Sequence, residues 1–533
     1  MPISFLKEYL VYFKYVLPVV ACLVIVEHAL LQRRQKPFLQ GLLTSLLVVS
    51  VYLGIWNYTE PHWRQHRYFN AYEFFHYYLG AKYAPEIGYT NLYNATIIAD
   101  EETGGKVKGR TIRSLDTHRI VPADRVLRDK ARYKALFKEE RWKAFSTDVP
   151  FFRKRVSSGL WNRMLNDKGY NATPVWTMIS GILANTVSTQ SPRGMAVLPC
   201  LDVLLMLCAI ACVWWAFGHR VALLMALLVC THYLTSHFTL KAAFLRVDWV
   251  MCLVMAVCMI KKERYKTAGL LTAYATMARV FPLIFAFGIG AKALLDLIKT
   301  RRINPRYFGY FAALGGTAAA LFLASVIYDG GLGAWREFLG KMAVHNTDIA
   351  AWRVGFKYIF LMSYRGSAFW GTNLKTFFEQ WKLVWWGIQL ALLLLSFLLV
   401  RHLDDYEAMA YGYVPVFFLV APTYYYHVML IVPFLFFAAK MERPTRMAGI
   451  FMLFASGMVG HKLYALWDRG YALFFTMSCL LFVFVLYTMA LCLLEALRTP
   501  VPGATPPQET PQPPTTGTPG PKKKKRKSTR KRH

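Results

Sequence analysis

Apolar runs of roughly 20 residues recur from near the N-terminus to about residue 498, and each could cross a ~30 Å hydrocarbon core at 1.5 Å per residue. Inside lipid such a chain must satisfy its backbone polar groups without water, which leaves helices or a closed barrel. Barrel strands would read as alternating segments of ~10 residues, and that pattern is not found here. The chain is 56% hydrophobic, 16% aromatic and 17% charged, against roughly 25% charged for soluble domains. The expected fold class is therefore all-α, a polytopic membrane protein with about 11–13 transmembrane helices and a large first outer loop.

Spans are expected near 10–31, 38–56, 196–217, 221–238, 247–260, 267–278, 281–298, 307–328, 382–400, 408–421, 424–440, 446–463 and 470–497. The short basic connectors QRRQK (32–36), KKERYK (261–266), KTRRINPR (299–306), RHLDD (401–405) and KMERPTR (440–446) fit one cytoplasmic side. That choice sends 57–195 and 329–381 outside, keeps the C-terminus cytoplasmic and leaves the N-terminus outside. The chain divides into N-terminal helices (1–56), an extracytoplasmic loop domain (57–195), a helical core (196–498) and a C-terminal segment (499–533). The pairs 267–278/281–298 and 408–421/424–440 are interrupted beside Pro282 and Pro422. They read either as broken helices lining a cavity or as two ordinary hairpins.

The net charge of +33 is unevenly placed, with nine basic and no acidic residues in 522–533. Behind a Pro/Thr/Gly-rich linker expected to be disordered, this tail is expected to rest on anionic lipid headgroups rather than on nucleic acid. The nine cysteines lie in or beside apolar runs and show no metal-ligand spacing, so neither a disulfide framework nor a metal site is expected. No cleavable leader is expected, because the first apolar run is long and lacks a small-residue cleavage site. Walker A, HExxH and nucleophile-elbow patterns are missing, and no cofactor is expected.

Candidate chemistry gathers in three places. Glu73 lies in an aromatic run, where helical spacing puts it on a face with Phe69, His76 and Tyr77. A carboxylate among rings is partly desolvated, which suits a general base, although an interfacial aromatic belt has the same look. Arg246, Asp248 and Arg279 sit in apolar sequence where facing lipid is costly, so they read as an ion pair or as an anion site, with Asp248 the natural partner of Arg246. Near Pro422, Tyr425, Tyr426 and His427 cluster, with His427 a candidate phosphate or sugar ligand. The basic amphipathic stretch after residue 340 adds His345 and Arg353. The loop acids Glu86, Asp100, Glu101, Asp116 and Asp124 are expected to be solvated or in turns.

Several of these motifs, in this order, resemble the integral-membrane GT-C glycosyltransferases, closest to their polyprenyl-phosphate-mannose-dependent α-mannosyltransferases. They are Glu73-Phe-Phe-His-Tyr-Tyr with Gly88-Tyr-Thr-Asn-Leu-Tyr93, then Arg279-Val-Phe-Pro282, basic hairpins, and Pro422-Thr-Tyr-Tyr-Tyr-His427. The likeness spans roughly residues 50–440. It departs in having Glu where Asp is usual, Arg where Lys is common, and an Arg/Lys-rich insertion over 100–195. The resemblance implies inverting transfer of mannose or another hexose or pentose from a polyprenyl-phosphate donor to a lipid or glycan acceptor at the outer leaflet of a bacterial inner membrane. Glu73 would be the base, Arg246, Arg279 and His427 would bind the donor phosphate, and His76, Tyr77, Asp248, Tyr425, Tyr426, His345 and Arg353 would support them. A secondary transporter or lipid flippase is the alternative, since broken helices with buried Arg and Asp suit it too, and a non-catalytic scaffold is a third reading.

Overall fold

The computed structural model describes residues 3–32, 37–66, 68–347, 352–362, 364, 372–467 and 470–498. It is 77% helix and 2% strand, the strand being one antiparallel ribbon of Thr111–Arg113 with Ile120–Pro122. Among the described residues, seven helices are long and apolar enough to cross a membrane: Pro37–Thr59, Arg193–Phe217, Phe281–Thr300, Pro305–Tyr328, Lys382–Val400, Pro444–Trp467 and Tyr471–Leu497. The chain is thus a helical, polytopic membrane protein. The linker and basic tail, 499–533, lie outside the described residues.

Ile3–Gln32, a 30-residue helix, packs on Pro37–His66, His219–Thr231 and Pro444–Trp467. A second group forms where Tyr265–Arg279 lies between Asp248–Lys261 and Pro305–Tyr328. Contact there is backbone to backbone, since a Cβ on Gly269 would overlap the Tyr310 carbonyl. The short helix Ile431–Ala438 is buried at every position, as a helix apolar on all sides should be. Nearby, the fully buried Arg446 is held by Glu407 at 3.1 Å and Glu495 at 2.6 Å.

Four expected spans take shorter forms. The one placed at 221–238 stops at Thr231, and residues 232–247 run irregularly apart from one 3-10 turn. Side chains replace water at that end: Thr235 Oγ1 donates to the carbonyls of Leu228 (2.9 Å) and Val229 (3.0 Å), and His461 Nε2 donates to that of Thr231 (2.8 Å). The expected 247–260 span is the 14-residue helix Asp248–Lys261, about 21 Å long. The 408–421 span divides into Asp405–Ala410 and Tyr413–Leu419, and the 424–440 span into a 3-10 segment, Tyr424–Leu430, followed by Ile431–Ala438.

The polar segment 68–195 is a packed unit with an aromatic core that includes Phe75, Phe145, Phe152 and Trp161. Asp100, expected to be solvated, is fully buried and accepts from Arg153 and from the Trp161 indole. Glu86 pairs with Arg141. Asp148 gathers Lys82, Tyr83 and Thr189. The basic residues of this segment thus neutralise buried acids as well as coat a surface.

Candidate functional site

The site starts at Asn70. Its side chain accepts from the Glu73 amide at 3.2 Å and caps the single turn Ala71–Phe74. Asn70 also donates from its backbone to Ala242 O (2.9 Å) and from Nδ2 to Phe238 O (3.0 Å) and Lys241 O (3.3 Å). One residue therefore ties the turn carrying Glu73 to the irregular loop leading to Arg246. Ala242 and Leu245 have φ of 51° and 46°, values that cost non-glycine residues energy and need outside restraint. Asp202 supplies the restraint from the other end, accepting the Arg246 amide on both carboxylate oxygens (3.0 and 2.8 Å). Neither Asn70 nor Asp202 was among the sequence candidates. Asn70-Ala-Tyr-Glu73 does have capping-box spacing, a legible signal.

Arg246 approaches Glu73, with Nη2 at 3.3 Å from Oε2. Its guanidinium lies between the rings of Tyr77 and Tyr425, 4.5 Å from each centroid. Nε and Nη1 are buried and have no hydrogen-bond partner. Arg279 sits over Trp176 (5.2 Å), donates from Nη1 to Ala278 O (2.9 Å) and from Nη2 to Leu245 O (3.4 Å), and leaves Nε unpartnered. Trp176, also missed in the sequence, donates to Leu245 O at 3.2 Å and packs edge-on against Tyr77. Burial lifts the Glu73 carboxyl above its ordinary range, while Arg246 and then His76 pull the other way.

A cavity of about 1780 Å³ contains these groups, larger than the usual 300–1,000 Å³ small-molecule pocket. It is strongly basic: among the described residues, Arg246 and Arg279 are joined by Arg353 and Lys357, and by Arg113, Arg155, Arg163 and Lys168 of the polar segment, against Glu73 and Asp167. Residues 278–281 and 419–426, the breaks beside Pro282 and Pro422, line it, as the broken-helix reading expects. Val280 at the first break has φ 63°, a strained value for a β-branched residue. Val280, Leu283 and Leu339 line the cavity yet are 53%, 49% and 60% exposed, which makes one rim apolar.

The other sequence candidates divide. Tyr425 and Tyr426 line the cavity, as does Arg353, whose segment pairs with residues 422–424. His76 lines it too; Nδ1 meets Tyr72 O and Nε2 meets Tyr93 Oη, both at 2.8 Å, with Asp167 3.8 Å away. His427 does not belong to this set. It is fully buried, accepting from Tyr413 Oη (3.0 Å) and donating to Val354 O (3.1 Å), so both ring nitrogens are used in holding the fold. Asp248 is likewise not Arg246's partner, because Glu73 takes that place; Asp248 accepts from Tyr274 at 2.8 Å and is absent from the cavity lining. His345 lies on helix Gly333–Thr347, and its side chain is outside the described residues. Among the described residues, no three His, Cys, Asp or Glu side chains converge to hold a metal ion.

No family model, no curated protein and no solved structure shows significant similarity to this chain.

Proposed function

We propose that the protein is a membrane glycosyltransferase that moves a sugar from a polyprenyl-phosphate donor to a lipid or glycan acceptor, with inversion. The observation that carries the reading is the buried Glu73 beside two arginines whose side chains retain unpartnered N–H groups, all within one large basic cavity. Buried donors without acceptors are costly, and a phosphate would satisfy Nε and Nη1 of Arg246 and Nε of Arg279. The apolar rim suits the polyprenyl chain, and the size suits a lipid-linked sugar. The GT-C architecture, the wider set of spans and the outer-leaflet site belong to the same proposal.

In the reaction, an acceptor hydroxyl attacks the anomeric carbon and passes its proton to the Glu73 carboxylate. The bond from that carbon to the phosphate oxygen breaks, and the lipid phosphate leaves with the electron pair. Arg246 and Arg279 stabilise the charge that grows on the leaving group. The donor phosphate, taken by Nε and Nη1 of Arg246, offsets the cation that otherwise favours ionised Glu73, which makes the carboxylate a stronger base.

Purified full-length protein in liposomes, given a radiolabelled polyprenyl-phosphate sugar and membrane acceptors, should form glycosylated product, and Glu73→Gln should not. Movement of the donor lipid across the bilayer without product would instead identify a transporter or flippase.

A further inference from the structure

Helix Arg193–Phe217 is only partly covered by its neighbours and leaves one side open. Leu204, Leu207, Cys208, Ala211, Trp214 and Trp215 are all exposed, and helical spacing places them in a single stripe. The stripe runs about 16 Å along the axis. It is apolar until it reaches the two indoles near the helix end, a position typical of tryptophans at a membrane–water boundary. Helix Asp248–Lys261 packs against this one. Its last turn closes through Glu263, whose φ of 57° lets the Arg264 amide reach back to Met259 O at 2.8 Å. That reversal brings both flanking cations to one indole: Lys262 Nζ lies 5.1 Å from the Trp215 ring centroid and Arg264 Cζ 5.3 Å. Both residues are exposed, while Glu263 between them turns to Arg306 at 3.5 Å. Among the described residues, no carboxylate pairs with Lys262 or Arg264.

We infer that this corner binds an anionic glycerophospholipid, its phosphate held by Lys262 and Arg264 and one acyl chain lying along the stripe that leads to Trp215. Basic residues are expected in the connectors of any polytopic protein, but charge bias alone does not gather two of them on one exposed indole. Held at the ring, the two heads are already together when a phosphate arrives, so less freedom is lost on binding. An acidic peptide would match the charges only; a phospholipid matches the charges and the apolar stripe at once. The corner shares none of the residues lining the large cavity and stands apart from the chemistry proposed there.

Site-resolved labelling tests this. Full-length protein in phosphatidylcholine nanodiscs receives trace phosphatidylglycerol with a diazirine in its acyl chain, or the matching phosphatidylcholine probe, and is irradiated and digested. Peptides from helix Cys200–Phe217 should be labelled by the anionic probe in preference to the neutral one. Lys262→Gln/Arg264→Gln should lower that preference about tenfold, and Lys262→Arg/Arg264→Lys, which keeps both charges, should retain it. The charge-matched pair Arg301→Gln/Arg302→Gln, exposed on another connector, should leave it intact; the basic C-terminal tail is the same in every variant. Equal labelling by both probes in the wild type overturns the site. So does an equal loss from the two Gln pairs, which would reduce the effect to general surface charge.

Discussion

Glu73 Oε2 and Arg246 Nη2 lie 3.3 Å apart, with their side chains 6% and 4% exposed. At such burial, removing one partner leaves the other charge uncompensated, at a cost of about 3–5 kcal/mol. Glu73→Gln should therefore lose both stability and transfer, the latter by about 10²–10⁴-fold. The double variant Glu73→Gln/Arg246→Gln should regain part of the stability and none of the activity. Thermal unfolding and a transfer assay on the same preparations check this; a double variant with wild-type transfer would remove Glu73 from the chemistry.

Burial is the largest influence on the Glu73 carboxyl and raises it above its ordinary 4.5. A base must be ionised, so kcat/KM should rise with pH along a limb whose midpoint lies above 4.5. Arg246→Gln removes a cation that favours the carboxylate and should move any residual limb higher. The stability sign is opposite: a raised folded value adds stability below 4.5, and that contribution is lost as pH rises through the folded value. A limb at or below 4.5 would contradict the assignment.

Asn70 holds the Glu73 turn and the Arg246 loop together. Asn70→Ala should cost about 0.5–2 kcal/mol through the lost cap, and more through the freed loop. Asn70→Ser keeps an acceptor for the Glu73 amide but loses both Nδ2 donations, so its stability and its kcat should fall between those of wild type and Asn70→Ala. If Asn70→Ala retains wild-type kcat, the link does not position the pair.

Arg279 and His427 should separate cleanly. A charge-assisted hydrogen bond is worth about 1.5–3 kcal/mol, so Arg279→Gln should weaken binding of polyprenyl phosphate about 10- to 100-fold. His427→Phe empties two buried hydrogen bonds and should lower the unfolding temperature while leaving that affinity unchanged. Fluorescence titration with the lipid phosphate, run beside thermal unfolding, distinguishes them. A donor-binding loss in His427→Phe at unchanged stability would restore the ligand role that its sequence position suggested.

Lys341, on helix Gly333–Thr347, is 5% exposed and donates to the carbonyls of Tyr89 and Tyr170. Burial pushes its ammonium down from 10.5 to about 7. Between those values the folded state holds fewer protons than the unfolded one, so stability rises with pH across the window and is lost as pH falls toward 7. Chemical denaturation at pH 7 and pH 9 should show this rise, and Lys341→Met should flatten it. An unchanged slope in Lys341→Met would assign the effect elsewhere.

The membrane class was determined by the sequence alone, because transfer of a 20-residue apolar helix into lipid is a sum of local terms that need no fold. The breaks at Pro282 and Pro422 were legible for the same reason, since proline removes a backbone donor wherever the chain goes. The costliness of Arg246, Asp248 and Arg279 in lipid also follows from residue type. Their partners do not. Only the tertiary path brings Glu73 to Arg246, turns Asp248 toward Tyr274 and sends both nitrogens of His427 into the packing. Asp100 makes the same point, expected in water and found fully buried. A charge or an imidazole can be satisfied by many neighbours at similar energy, and the choice among them is made by which helix ends and loops the packed core brings within about 3 Å.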